Sequence, residues 1–424
     1  VISVKTSFNM KTTEVFIAGG MPSVTYNPRT ELGLENKLQD YLNTRHKLIS
    51  ITGPTKSGKT VLCRRNIDET QQILISGGEI TGEDNFWELV LDQLNYSYVE
   101  SSSAMTSSDD TVSAGISAQL SLWSVAKFGG NGTTTRKNNN GTSHTKKYII
   151  NPKRSAIEKL KSLDKTLIID DFHYIEQSIQ QQIIRALKSP IFDGLNVIVL
   201  AVPHRAYDAL KVETEMTGRV AQLEITSWEE RDLSEIASKG FKELNIIHDD
   251  LIINTLAQES YGSPNLMQEF CLQLCKDNNV NETCKQPKTI TLLTSSKAFF
   301  KSIAKSVASK VAYDRLARGP RQRSDRKSRV LKNGKTVDIY TATLLAIAHT
   351  GPKTEITIEE LRASFKTIMD NPPQSQEIAR VLIQMDKIAK QQQGEPVIDW
   401  SKEDNSLFIA DPYFAFYLKW AIES

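Results

Sequence analysis

Cysteine, glycine and proline are scarce in this sequence, and neither sign of charge dominates it. Four cysteines (Cys63, Cys271, Cys275 and Cys284) are too few for a disulfide scaffold, and no Cys or His pair has zinc spacing. Cys271 and Cys275, four apart in an apolar helical stretch, read as packing residues, and a reducing, cytoplasmic setting is expected. Glycine (21) and proline (14) make up about 8% of the 424 residues, against about 12% in average proteins. That scarcity disfavours an all-β or loop-built chain and points to many helices. Lys plus Arg (52) nearly balances Asp plus Glu (50), leaving +2. A global polycation built for nucleic acid or acidic membrane is therefore disfavoured, and only a local basic patch stays open. No apolar run approaches the roughly 18 residues of a membrane span. The N-terminal VISVKTSFNMKTTEVF lacks the basic stretch and apolar core of a signal peptide. What is present is 39% apolar residues, enough for real cores, on a chain long enough for two or three domains.

Along the chain, short apolar runs alternate with helical periodicity. Strands are predicted at 48–52, 71–78, 166–171, 195–202 and 221–225, with helices between them, the pattern of a parallel sheet covered on both faces. The expected fold class is α/β, a P-loop parallel sheet with a helical lid and a C-terminal winged helix. The expected domains are a core over 1–226, a lid over 227–314, a basic linker over 315–335 and a winged helix over 336–424. Residues 101–150 differ in composition: Ser/Asn-rich flanks surround VSAGISAQLSLW, whose period of two reads as a strand in an inserted arm. From 227 to about 312 the sequence is helical with no clear strand. Three helical stretches, a hairpin pattern (GEPVIDWSKEDNSLFIADP) and a last helix (YFAFYLKWAI) follow the basic segment.

Gly53-Pro54-Thr55-Lys56-Ser57-Gly58-Lys59-Thr60 is a complete G-x-x-x-x-G-K-T phosphate loop between an apolar strand and a helix. Its glycines let backbone N–H groups turn onto phosphate oxygens, and the helix N-terminus adds its dipole. Lys59 is placed to reach the β- and γ-phosphates and the Thr60 hydroxyl to bind Mg²⁺. The 166–171 strand ends in Asp170 and Asp171. Strand-end acids are also common helix caps. Paired with the phosphate loop, Asp170 is expected to hold Mg²⁺ through water and Asp171 to polarise the attacking water. Arg205, after the 195–202 strand, is either a γ-phosphate sensor or a surface arginine. Arg219, just before the 221–225 strand, is either a finger into a neighbouring subunit's nucleotide or a surface charge.

This set resembles the AAA+/STAND branch of P-loop ATPases, which includes Orc/Cdc6-like proteins and signalling NTPases. The GPTKSGKT loop, the IIDD strand end, Arg205 and Gly262-Ser263-Pro264 carry the resemblance. It implies ATP and Mg²⁺ as ligands, and a Pro264 packed near the adenine. The YNPRTELGLE segment is similar to the adenine-side box of these ATPases, which points to Arg29. Two departures stand out: Pro203-His204 replaces the usual polar first sensor, and Asp-Asp replaces Asp-Glu. Both suggest slow, switch-like hydrolysis by a chain that forms homo-oligomers or engages a separate effector or sensor, with bacterial anti-phage defence as the setting the resemblance implies.

One rival is a nucleic-acid-loading ATPase, and another is a scaffold that keeps its nucleotide without turnover. Residues 315–335 hold nine Lys/Arg against Asp325, which favours the nucleic-acid rival. The hairpin's Asp399, Glu403 and Asp404 disfavour it. The aromatics from Phe408 to Trp420 read as core.

Overall fold

The computed structural model describes residues 9–95, 101–103, 145–147, 151–202, 218–306, 309–320, 326–351, 353–391 and 396–422. The expected arm strand over 112–122, the stretch 203–217 with Arg205, and residues 321–325 lie outside these. The strand candidates fold as five parallel strands: β1 (Leu48–Thr52), β2 (Gln72–Ser76), β3 (Thr166–Asp170), β4 (Val197–Ala201) and β5 (Val220–Glu224). Their spatial order is β2-β3-β4-β1-β5. Burial follows position. The central β1, β3 and β4 are buried almost without interruption, because helices cover both faces. The edge strands β2 and β5 alternate instead.

Successive residues of one strand feed opposite cores. Leu167 and Ile169 pack with Phe86, Trp87, Ile183 and Leu187, from α3 (Glu83–Gln93) and α5 (Gln177–Phe192). Ile168 packs with Leu38 of α1 (Leu34–Thr44) and with Leu62 and Cys63 of α2 (Lys59–Asn66). Helix α4 (Pro152–Ser162) also belongs to the core.

The lid is α6 (Glu230–Glu243), α7 (Asp250–Gln258), α8 (Pro264–Asp277) and α9 (Ser296–Ser306). It is not strand-free: Ile246–Ile247 pairs in parallel with Lys288–Thr289. Two-residue strands carry too little periodicity to be read from sequence.

The C-terminal domain comprises α10 (Ser309–Arg318), α11 (Ile339–His349), α12 (Ile358–Ile368), α13 (Ser375–Lys390) and α14 (Pro412–Trp420). Its sheet has three antiparallel strands: β6 (Glu355–Thr357), β7 (Ile398–Ser401) and β8 (Ser406–Ile409). The described ends of the expected basic linker are built into this domain. Ala312 and Leu316 of α10, and Leu331, belong to its core. Ser328–Val330 pairs antiparallel with Thr336–Asp338. The density of charge in 315–335 hid these few apolar anchors.

Helix α14 belongs to two cores at once. Phe414, Ala415 and Leu418 face the C-terminal domain. Phe416 enters the lid, with ring centroids 5.0 Å from Phe270 and 6.0 Å from Phe300. Lid and C-terminal domain are thereby bonded along one helix.

The N-terminal segment is seated on the lid just as closely. A Cβ on Gly240 of α6 would come within 2.3 Å of the buried Phe16 ring. Helix propensity alone expects Gly240→Ala to stabilise by about 1 kcal/mol. Overpacking against Phe16 reverses the sign, so Gly240→Ala should destabilise by about 1–3 kcal/mol. A lowered thermal midpoint in calorimetry is the expected outcome.

Candidate nucleotide site

The phosphate loop, 53–60, links β1 to α2. Gly53 is required by close approach, since a Cβ there would lie 2.8 Å from the Ile225 carbonyl oxygen. Gly58 is required by conformation, at φ 97°. Lys59 is buried, and its Nζ donates to the carbonyls of Gly53 and Pro54, both at 2.9 Å. The Ser57 hydroxyl is buried without a hydrogen-bond partner, an orphan that a phosphate oxygen would satisfy.

The Thr60 hydroxyl donates to Asp170 Oδ2 at 2.7 Å. The other Asp170 oxygen accepts the Asp171 N–H at 2.9 Å. Asp171 sits in the left-handed region at φ 51°. Its carbonyl approaches Gly77 so closely that a Cβ there would lie 2.3 Å away. Gly77, just after β2, thus lets the acidic turn lie against the sheet edge. Behind it, burial and the charge of Asp170 push the Cys63 thiol well above its usual range, which leaves it protonated and inert.

Two joined cavities meet at the loop. A polar chamber of about 290 Å³ is lined by Lys56, Lys59, Thr60, Asp170, Asp171 and Asn265. An apolar slot beside it runs between Tyr26, Pro28, Val61, Ile225, Trp228 and Pro264. Gly58, Val61, Pro264 and Gln268 border both. The charged chamber suits phosphates, and the apolar slot, about 70 Å³ as it stands, must widen to take a base. Thr60 and Asp170 form an oxygen donor pair suited to Mg²⁺.

Pro264 lines both cavities. Gly262 takes φ 65°, Ser263 caps α8 by accepting the Leu266 N–H, and Pro264 is the first helical residue. Arg29 lines the slot, but its guanidinium is engaged elsewhere. It pairs with Asp232 at 3.0 Å, donates to Thr226 and the Ser227 carbonyl, and stacks 5.0 Å from the Trp228 ring centroid. It shapes the pocket wall rather than offering a charge to a phosphate. Arg219 lies at the opposite edge of the sheet, where its carbonyl accepts the Leu48 N–H. Its guanidinium sits 5.7 Å from the Phe192 ring centroid. It is remote from its own phosphate loop, so a finger role could only be exerted on another copy.

Three contributors escaped the sequence reading. Trp228 donates its indole N–H to the Ser57 carbonyl at 2.8 Å and so ties the entry to the lid onto the phosphate loop. The buried Gln268 side-chain oxygen accepts the Ile17 N–H at 3.0 Å, which fixes the N-terminal segment over the chamber. Asp411 reaches the loop from the C-terminal domain, 2.6 Å from Lys56 Nζ. Only Trp228 left a trace, as an aromatic directly after the fifth strand.

Trp228→Phe keeps an aromatic ring in the slot wall and removes the N–H donor. Losing one net hydrogen bond, worth about 1 kcal/mol, should weaken ADP binding roughly five-fold. Titration calorimetry on the folded variant checks this.

No protein-family model matches the sequence, and no curated protein does. Solved structures do match. A Walker-type ATPase of Pyrococcus abyssi aligns at TM-score 0.53 and 14% identity, covering 93% of this chain and 96% of that one. The Aeropyrum pernix ORC2 protein, solved as ADPNP-ADP complexes, aligns at 0.49 and 11%, covering 97% and 98%. The Aeropyrum pernix ORC1 protein in complex with DNA aligns at 0.46 and 10%, covering 98% and 97%. The first of these likenesses extends over nearly the whole of both chains, and this chain has the fold of a Walker-type P-loop ATPase.

Proposed function

We propose that this chain is an ATP-binding and ATP-hydrolysing molecular switch whose C-terminal domain, read as a winged helix, responds to the nucleotide. One observation carries the reading. Lys56, inside the phosphate loop, is held by the C-terminal domain. Its Nζ lies 2.6 Å from Asp411 Oδ1 and 4.5 Å from the Tyr413 ring centroid. The Tyr413 hydroxyl in turn donates to Asn265 Oδ1 at 3.2 Å, on the rim of the polar chamber. Phosphates in the chamber would compete with Asp411 for Lys56 and repel its carboxylate. The charge of the nucleotide therefore biases the contact between the domains.

The remaining roles follow from the site. Lys59 would leave its own loop carbonyls for the phosphates. Thr60 and Asp170 would hold Mg²⁺, which neutralises charge on the β- and γ-phosphates. Asp171 would orient and polarise the attacking water. The apolar slot would take the adenine against Pro264 and Trp228. Hydrolysis is expected to be slow, because the arrangement favours holding a state over rapid cycling. Oligomerisation or capture of a separate effector would read out the switch. A setting in bacterial anti-phage defence rests on the resemblance to STAND ATPases and not on site chemistry.

Two cations of the C-terminal domain weigh against the nucleic-acid reading. Arg329 pairs with Glu377 of α13 at 2.6 Å, and Lys390 of α13 pairs with Asp386 and Asp399. Arg329, on the 328–330 strand, and Lys390, on the helix that would enter a groove, are thus engaged inside the domain.

Asp411→Asn separates latch from fold. Asp411 caps α14 by accepting the Tyr413 N–H at 2.9 Å, and asparagine caps as well as aspartate. The variant should keep its thermal midpoint and release ADP more slowly by about five-fold, because the carboxylate that competes for Lys56 is gone, a partly exposed ion pair worth about 1 kcal/mol. Stopped-flow release of a fluorescent ADP measures it, and an unchanged rate refutes the latch. Lys59→Ala should weaken ATP binding by about 100-fold and abolish turnover, since it removes a charged phosphate contact worth about 3 kcal/mol. Equilibrium binding and phosphate release check both.

A further inference from the structure

Leu251 is the most exposed large apolar side chain among the described residues, at 71%, and Ile247 beside it is 53% exposed. Between them lie two acids. Asp249 caps α7 by accepting the Leu251 N–H at 2.9 Å, and Asp250, 91% exposed, has its Oδ1 3.7 Å from Nδ1 of His248. Helix α7 buries Ile253, Leu256 and Ala257 on its other face. Helical phase therefore leaves Leu251 outside, and the start of α7 is a small apolar knob with an acidic flank. One exposed leucine needs no explanation, but two apolar residues around paired acids form a recognisable surface.

The C-terminal domain carries the complementary shape. A cavity of about 350 Å³ has an apolar floor that includes Leu345, Ile368 and Leu418, and a rim that includes Lys332, Lys335 and His349. No acid lines it. It is remote in composition from the nucleotide chamber and shares no lining residue with it.

Knob and groove stand at the two ends of α7. Glu259, just past its last turn, binds Lys419 at 2.6 Å and the Trp420 indole at 2.7 Å, and Lys419 lines the groove. About 13 Å of helix separates the ends. This anchored, rigid helix keeps a chain's own knob out of its own groove, whereas a second copy's knob is free to enter. Because each copy carries both a knob and a groove, a two-fold arrangement satisfies both contacts at once and closes the assembly.

We propose that this patch joins two copies of the chain, Leu251 of each entering the lysine-rimmed groove of the other with Asp250 facing Lys335. The contact does not depend on the nucleotide reading.

Light scattering on the full chain over a concentration series tests it. The native chain should dimerise. Leu251→Asp, Asp250→Lys and Lys335→Glu should each weaken dimerisation by about ten-fold or more, as central interface residues do. The charge-reversed pair Asp250→Lys with Lys335→Glu should recover most of the loss. All three sites changed are solvent-facing or rim positions, and an unchanged thermal midpoint shows that each variant is folded. A native chain that stays monomeric throughout overturns the proposal. So does dimerisation indifferent to these variants, or a pair that fails to recover. If the chain stays monomeric while a helical peptide with leucines at i, i+4 and i+7 and glutamates elsewhere binds the groove, a partner protein and not a second copy is the occupant. ATP binding that persists in a monomeric chain refutes this inference and leaves the proposed function standing.

Discussion

The hydrogen bond from Thr60 to Asp170 is the constraint around which the site is built. Its partners belong to β1's loop and to the end of β3, and these strands are not neighbours: β4 lies between them. The bond forms only because three strands run parallel in register, so that their C-terminal ends open on one side of the sheet. Everything chemical gathers at that edge. Lys59 follows β1, Asp171 follows β3, and Gly77 at the end of β2 lets the acidic turn close. The same parallel arrangement puts Arg219 at the far edge. One topological fact thus separates what can act on a chain's own nucleotide from what could act only on another's.

Around this edge, three separate segments bear on the loop. The N-terminal segment, fixed by Gln268, roofs the chamber. The lid entry grips the Ser57 carbonyl through Trp228, and the C-terminal domain holds Lys56 through Asp411. Lid and C-terminal domain are not independent, because α14 places residues in both their cores. Under the proposed switch, a change at Lys56 would be passed to a body comprising both, together with the N-terminal segment that packs into the lid core.

Much of this was legible in the sequence, for local reasons. The loop is a contiguous motif. The central strands are continuous apolar runs because they are buried on both faces, and Pro264 follows a Gly-Ser turn that caps a helix. The misses are of another kind. Trp228 meets Ser57 across 171 positions and Asp411 meets Lys56 across 355, separations at which no local period carries a signal. Arg29 was found, but its engagement with Asp232, on a helix 203 residues on, was not readable, and that engagement changes its role. In 315–335, a high count of cations concealed Leu316 and Leu331, whose burial turns a supposed linker into part of a domain.

The central claim is that nucleotide charge at Lys56 governs where the C-terminal domain sits. Spin labels at exposed Gln182 on α5 and Lys402 on the β7–β8 turn, in a Cys284→Ser background, report that position directly by pulsed dipolar spectroscopy. The account predicts a short, narrow distance with ADP and a longer or broader one with ATP and Mg²⁺ in a chain slowed by Asp171→Ala. Identical distributions in the two nucleotide states, with binding of both confirmed, would contradict it.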